Sequence, residues 1–200
     1  MKFIDSEIIS VNIPQPDPVA GSILVAQPLI SDKYFHRSVV YILDHSADGG
    51  TMGFVINHES PFTLSELFPA VNSSDSIPVF IGGPVHPERL TYLHTLGSQI
   101  PESVQIAPGL FVGGDFNAIK DYLNSGGTAV GTIRFLLGYS GWETTQLRSE
   151  LDNFDWAVAP SPDANFLLTA DGEHAWRQAV TLLGPDYRKW LLFPPKVTFN

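Results

Sequence analysis

The sequence predicts an α+β fold. Short β-branched and aromatic runs recur along the chain, polar or glycine-ended links join them, and single amphipathic segments stand between them at irregular intervals. Such an order suits hairpins and meanders with flanking helices rather than a regular βαβ winding. The chain has 200 residues, 44% hydrophobic and only 16% charged, which is enough apolar material for one core of a single large domain.

Residues 1–20 read as an extended N-terminal segment. Pro14, Pro16 and Pro18 alternate with other residues there and favour extended chain over helix. A single domain is expected over 21–200. Its first strand candidates are Ser22–Ala26, Val39–Leu43 and Gly53–Asn57, the last two joined by the polar link His45–Gly50 as a hairpin. Thr63-Leu64-Ser65-Glu66 has the spacing of a capping box, so a short helix should run to about Phe68. Strands are expected again at Pro78–Ile81, Leu90–Leu96 and Leu110–Val112. Asp115 should cap a helix that carries Phe116, Ile119, Tyr122 and Leu123 and stops at Gly126-Gly127. Thr132–Tyr139 reads strongly as a strand, and Thr144 or Thr145 opens a helix with Leu147 and Leu151. Trp156–Ala159 and Phe166–Leu168 read as short strands. Asp171 caps a last helix bearing Trp176, Val180 and Leu183, which ends at Gly184-Pro185. The tail after Tyr187 reads as irregular.

Charge narrows the functional classes. The net charge is −10, from 21 acidic and 11 basic residues. Neither half of the chain is basic: residues 1–100 hold ten acids and four bases, residues 101–200 eleven and seven. Affinity for a phosphate backbone comes from clustered Lys and Arg that displace counterions. The one dense basic spot, Arg188-Lys189 with Lys196, reads as a solvated chain end. Direct nucleic-acid binding and docking on an anionic membrane are therefore disfavoured. The absence of cysteine removes disulfides, thiolate metal ligands and a thiol nucleophile. Asp5 and Glu7 interrupt any signal-peptide apolar region after Met1-Lys2-Phe3-Ile4, and the longest apolar stretch, Val19–Ile30, is too short to span a bilayer. A cytoplasmic location is expected.

Five features invite a chemical reading. Gly138-Tyr139-Ser140-Gly141-Trp142 approaches the elbow of a serine hydrolase, but Trp142 stands where the elbow needs glycine, so a turn anchored by a buried tryptophan is preferred. Gly113-Gly114-Asp115 could cradle phosphate at a helix start, yet Asp115 puts a carboxylate there and reads as a structural cap. The six histidines form no H-x-H, H-x-x-x-H or H-E-x-x-H spacing, so no metal site and no cofactor are expected. Gly82-Gly83, at a strand end, reads as a tight turn and also as a place where backbone can approach a ligand. Arg134 lies in the apolar run Thr132–Leu137. Period two puts it on the face of Thr132 and Leu136, opposite Ile133, Phe135 and Leu137. A guanidinium there must be solvated, paired or ready for an anion. Glu150, Asp152 and Glu143, on the helix that follows, are the expected partners.

The segments Asp32-Lys33-Tyr34-Phe35, Ser38-Val39-Val40-Tyr41, Gly53-Phe54-Val55-Ile56-Asn57, Gly82-Gly83-Pro84-Val85, Leu93-His94 and Arg134–Trp142 with Gln146-Leu147 and Glu150 together resemble the bacterial AlgH/YqgE-like family, from about Gly21 to the Trp176 helix. The resemblance implies an α+β fold of coiled, branching sheets approximating a pseudo-barrel. It implies a small cytosolic protein, and some members carry the label of transcriptional regulator on genetic grounds. It brings no catalytic residues. Glu143-Thr144-Thr145 departs from the glycine-rich sequence usual there, and the Ser140 position is often alanine in the family. The expectation is a non-catalytic binding or regulatory domain, acting through a protein or small-molecule partner and on transcription only indirectly. The alternative is a small-molecule enzyme with a pocket near Gly82-Gly83 and Arg134. The candidate ligand-binding residues are Asn57, Gly82, Gly83 and Arg134.

Overall fold

Residues 11–46, 48–73 and 75–193 are described by the structure, a computed structural model. The first half of the N-terminal segment, the tail from Pro194 with Lys196, and the loop positions Ala47 and Ser74 lie outside the described residues. The elements follow the order β1 (Ile23–Ala26), β2 (Val39–Ser46), β3 (Gly50–Val55), β4 (Glu59–Thr63), α1 (Leu64–Leu67), β5 (Pro78–Ile81) and β6 (Val85–His94). They continue with β7 (Val104–Ala107), β8 (Leu110–Val112), α2 (Phe116–Asn124), β9 (Ile133–Trp142), α3 (Thr144–Asp152), β10 (Trp156–Ala159), α4 (Ala164–Thr169) and α5 (Gly172–Leu182). Two 3-10 turns, Gly97–Gln99 and Pro185–Leu192, complete the list. The fold is α+β, as the sequence predicts.

Among the described residues, ten strands form one curled, branched sheet that does not close, in the order β10-β1-β2-β3-β9-β6-β8-β7. β5 stands off this path, paired with β4 on one side and, in parallel, with β9 on the other. β9 is the branch. Its first half runs between β5 and β6, with Val79 to Ile81 opposite Phe135 to Leu137 and Leu90 to His94 opposite Leu137 to Ile133. Its second half leaves β5 and pairs Ser140, Gly141 and Trp142 with Gly53, Met52 and Thr51 of β3.

The branch needs two chain segments to touch backbone to backbone. Gly82 N–H donates to Leu137 O at 2.7 Å, and Val55 N–H donates to Gly82 O at 2.8 Å, so one residue ties both arms together. A Cβ on Gly83 would sit 2.2 Å from the Tyr139 carbonyl carbon, and one on Gly138 would sit 2.6 Å from Gly83 O. Gly138 also has φ +67°, a conformation that costs other residues about 1 kcal/mol or more.

Three cores result. Tyr41, Phe54, Phe80, Leu136 and Trp176 fill the largest, under α4 and α5. Tyr92, Ile119, Leu123, Ile133 and Phe135 fill the second, with α1 and α2. Leu24, Ile42, Val55, Trp142, Leu147 and Trp156 fill the third, under α3. The alternation along β9 is as expected: Ile133 and Phe135 face one core, Leu136 the other. Val11 and Gln15 also pack inward, Gln15 donating to the Tyr187 hydroxyl at 2.7 Å, so the described part of the N-terminal segment lies against the domain.

Several expectations change. Phe166–Leu168 is not a strand but the middle of helix α4, which Asp163 caps by accepting from Phe166 N–H at 2.7 Å. From Tyr187 to Leu192 the chain is not irregular: it continues the 3-10 turn and buries Trp190. Strands β4 and β7 are additional. β4 contains Pro61, which confines it to a sheet edge, and β7 is a four-residue edge strand. β6 starts five residues before the expected Leu90. Among the described residues no helix is long and apolar enough to cross a membrane.

Glu150 shows how the third core handles its polar atoms. One carboxylate oxygen, Oε2, accepts from the indole N–H of Trp142 at 2.8 Å and of Trp156 at 2.7 Å. Glu150→Ala leaves both indoles without an acceptor and should cost about 2–4 kcal/mol, since a bond to a charged acceptor contributes about 1.5–3 kcal/mol. Glu150→Gln keeps an acceptor oxygen and should cost less than half as much. Urea unfolding followed by tryptophan fluorescence measures both.

Candidate functional site

Arg134 is the charged residue on which the site is built. It is 3% exposed. β9 directs it into the side of the largest core, where its guanidinium lies over the ring of Phe80, 3.9 Å from the centroid. Nη1 donates to Ile56 O at 2.5 Å and Nη2 to Leu168 O at 2.9 Å. Each acceptor has a structural reason to be free. Ile56 lies just beyond the end of β3. Leu168 is in the last turn of α4, where the carbonyls have no partner within the helix.

The expected ion pair is not there. Among the described residues no carboxylate comes within salt-bridge reach of Arg134. Glu150 is engaged by the two indoles and Asp152 by Arg148 at 2.6 Å. The reason is direction: α3 folds back on the third core, under Trp142, whereas Arg134 faces the first. Burial lowers the guanidinium to about 10, and the charge of Asp171 partly offsets that. Asp171 is thus felt across a gap without touching. Nε of Arg134 is buried and has no hydrogen-bond acceptor.

Arg134 lines a cavity of about 230 Å3. Phe80, Ile77, Ile133 and Leu168 supply apolar wall, while Glu59, Asp75 and Asp171 supply carboxylates. Asp171 precedes α5 in the capping position, yet its side chain makes no cap bond. The volume equals that of roughly seven to eight waters at about 30 Å3 each.

The other sequence candidates lie elsewhere. Asn57 is buried, and its amide is fully used: Oδ1 accepts from Val39 N–H at 2.8 Å, and Nδ2 donates to Arg37 O and Gly172 O, both at 2.9 Å. It fastens β2, the end of β3 and the start of α5, one residue from the carbonyl that holds Arg134. Gly82 and Gly83 lie against the backbone of Gly138 and Tyr139, and neither lines the cavity. The expected pocket near Gly82-Gly83 and Arg134 is therefore found at Arg134 alone, on the β5 side. Ser140 is fully buried in mid-strand and donates to Gly82 O at 3.2 Å. No elbow forms, because β9 runs on through Trp142. Among the described residues no group of three or more His, Asp or Glu converges as a metal site would.

Sequence reasoning missed Phe80, Leu168 and Asp171. Asp171 was readable only as a helix cap. Leu168 was hidden by the strand reading, since a strand carbonyl is expected to serve the sheet. The Asp163 cap after Pro160 and Pro162 was the signal that could have corrected it.

The family model described as AlgH-like matches residues 23–188. A UPF0301 protein of Parabacteroides distasonis is 42% identical over 184 residues, 92% of each chain. One from Bacteroides thetaiotaomicron is 39% identical over 98% of this chain and 99% of its own. The solution structure of the AlgH protein from Pseudomonas aeruginosa superposes with TM-score 0.67 at 25% identity, covering 92% of this chain and 98% of that one. A crystal structure of a Corynebacterium diphtheriae protein shares the fold at TM-score 0.69 and 21% identity, over 88% of this chain and 94% of that one.

Replacing Arg134 tests how its charge is held. Arg134→Met loses two hydrogen bonds and leaves the Ile56 and Leu168 carbonyls without their donor, but it removes a desolvated cation and orphans no acid, so it should cost about 2–3 kcal/mol rather than the 3–5 kcal/mol of a broken buried pair. Arg134→Lys keeps the charge but lacks the planar fork that reaches two carbonyls while lying over Phe80, and should cost about 3 kcal/mol or more. Urea denaturation of the two variants gives the order. Lysine tolerated better than methionine would contradict the assignment.

Proposed function

We propose that this chain, which belongs to the AlgH-like family, works as a non-catalytic binding domain that takes a small polar molecule in the cavity beside Arg134. The observation that carries this reading is the buried guanidinium with one N–H lacking an acceptor and no carboxylate in contact, on the wall of a cavity with apolar sides. Buried polar groups are nearly always satisfied, so an incompletely satisfied guanidinium in a residue that lines a cavity marks that cavity as a candidate binding site. An arginine held over an aromatic ring and by two carbonyls is prepositioned, which reduces the ordering cost of binding.

Non-catalytic binding is favoured over the enzyme reading by what the cavity wall offers. Its titratable groups are carboxylates and one guanidinium. The histidines and Ser140, which would serve acid–base or nucleophilic chemistry, are placed elsewhere. The regulatory part of the proposal is indirect. At a net charge of −10 the chain is a poor counterion for a phosphate backbone, so any influence on transcription passes through a ligand or a protein partner in the cytoplasm.

Amide NMR of the purified chain tests the binding reading. Acetate, glycine and methylamine are added separately as probes. Shifts for at least one of them should cluster at Phe80, Gly131, Arg134 and Asp171, disappear in the folded Arg134→Met variant, and leave the probe unconverted after prolonged incubation. Shifts elsewhere, or none, would refute the binding site. Conversion of a probe that depends on Arg134 would favour the enzyme.

A further inference from the structure

The wall of the cavity carries both signs of charge. Arg134 is its one cation, and Glu59, Asp75 and Asp171 are its anions. A simple anion attracted to Arg134 would meet three carboxylates. A simple cation drawn by the carboxylates would meet a buried guanidinium. A molecule with both charges close together meets neither conflict.

Asp171 points to the same chemistry on separate grounds. It occupies the N-cap position of an eleven-residue helix, where an aspartate ordinarily accepts a backbone N–H, and it makes no such bond. Asp171 is among the residues that line the cavity, within electrostatic range of Arg134 but without an ion-pair contact. Arg134 itself is 3% exposed, and its Nε has no hydrogen-bond acceptor. The cavity volume of about 230 Å3 limits the guest to a handful of heavy atoms. Its walls of Phe80 and Ile77 suit an alkyl group on the guest.

Resting on the binding reading above, we propose that the ligand is a small aliphatic zwitterion of the α-amino-acid type, its carboxylate received by Arg134 and its ammonium by Asp171. A carboxylate accepts from a guanidinium in charge-assisted bonds, and each Nη carries a second hydrogen beyond the one given to Ile56 O or Leu168 O. The ammonium has three donors, enough for Asp171 and a second carboxylate on the wall. The side chain lies against the apolar wall. This assignment explains why a wall rich in carboxylates surrounds an arginine that pairs with none of them.

Isothermal titration of the full chain with three probes of nearly one shape tests it: L-valine, 3-methylbutanoate, which lacks the ammonium, and 2-methylpropan-1-amine, which lacks the carboxylate. L-valine should bind at least tenfold more tightly than either analogue. Asp171→Asn, which removes no cap bond, should weaken L-valine about tenfold and leave 3-methylbutanoate unchanged or tighter. Arg134→Met should weaken L-valine and 3-methylbutanoate together. If 3-methylbutanoate binds as well as L-valine, the zwitterion assignment fails and the cavity reading stands. If the amine binds tightest, Arg134 is not the anchor and the assignment is overturned. Binding by none of the three overturns both.

Discussion

The contact between Gly82-Gly83 and Gly138-Tyr139 sets the shape of this protein. A strand can pair with two neighbours, and β9 has three, β3, β5 and β6. It manages this by exchanging β5 for β3 along its length. The exchange needs main chain packed directly on main chain, with no room for a Cβ at Gly83 or Gly138. From that point one arm carries β3 toward the third core and the other carries β5 and β4 around the first. The space between the arms is where Arg134 lies, its donors reaching one carbonyl just beyond β3 and another on α4. The cavity is a consequence of the branch: it opens on the β5 side, where the arms diverge.

Two side chains that reach into the cores, Glu150 and Arg134, are handled in different ways. Glu150 is half-buried and satisfied by two neutral indole donors, a small network that fixes α3 to the sheet. Arg134 is satisfied only by carbonyl dipoles and an aromatic face, with one N–H left over. Burial acts against its charge, and Asp171, the opposing group, stands apart from it. A guanidinium kept ionised in that setting is weakly solvated and strongly oriented. Those are the properties that let a cation discriminate among small polar guests.

Much of the fold was legible in local chemistry. Asp115 accepts from Asn117 N–H at 2.8 Å and starts α2, and Glu66 receives both the N–H and the hydroxyl of Thr63, as the capping-box spacing indicates. Strand β5 and helices α2 and α3 lie where caps and periodicity put them. What was not legible depended on contacts distant in sequence. Phe166-Leu167-Leu168 has the composition of a strand, and the Asp163 cap together with the packing of Leu167 and Leu168 into the first core decides for helix. The exposed face of β4 and its Pro61 concealed an edge strand. Arg134 was recognisable as unusual, but its partners could not be inferred from the helix that follows it. α3 serves another core, and the carbonyls that hold the guanidinium lie 78 and 34 residues away. The place of Gly82-Gly83 was likewise visible as a special backbone position, while its neighbour, the β9 backbone, was not.

If the branch is the element on which the cavity depends, loosening it should be felt in both arms together. Amide hydrogen exchange in Gly83→Ala measures this directly. The account predicts that the variant, if it folds at all, loses protection jointly at the Gly82 and Val55 amides, which bond across the branch, and at the amides that pair β9 with β5. Global stability should fall by roughly 3 kcal/mol or more. Wild-type protection in both arms, with stability within about 1 kcal/mol of the parent, would contradict it.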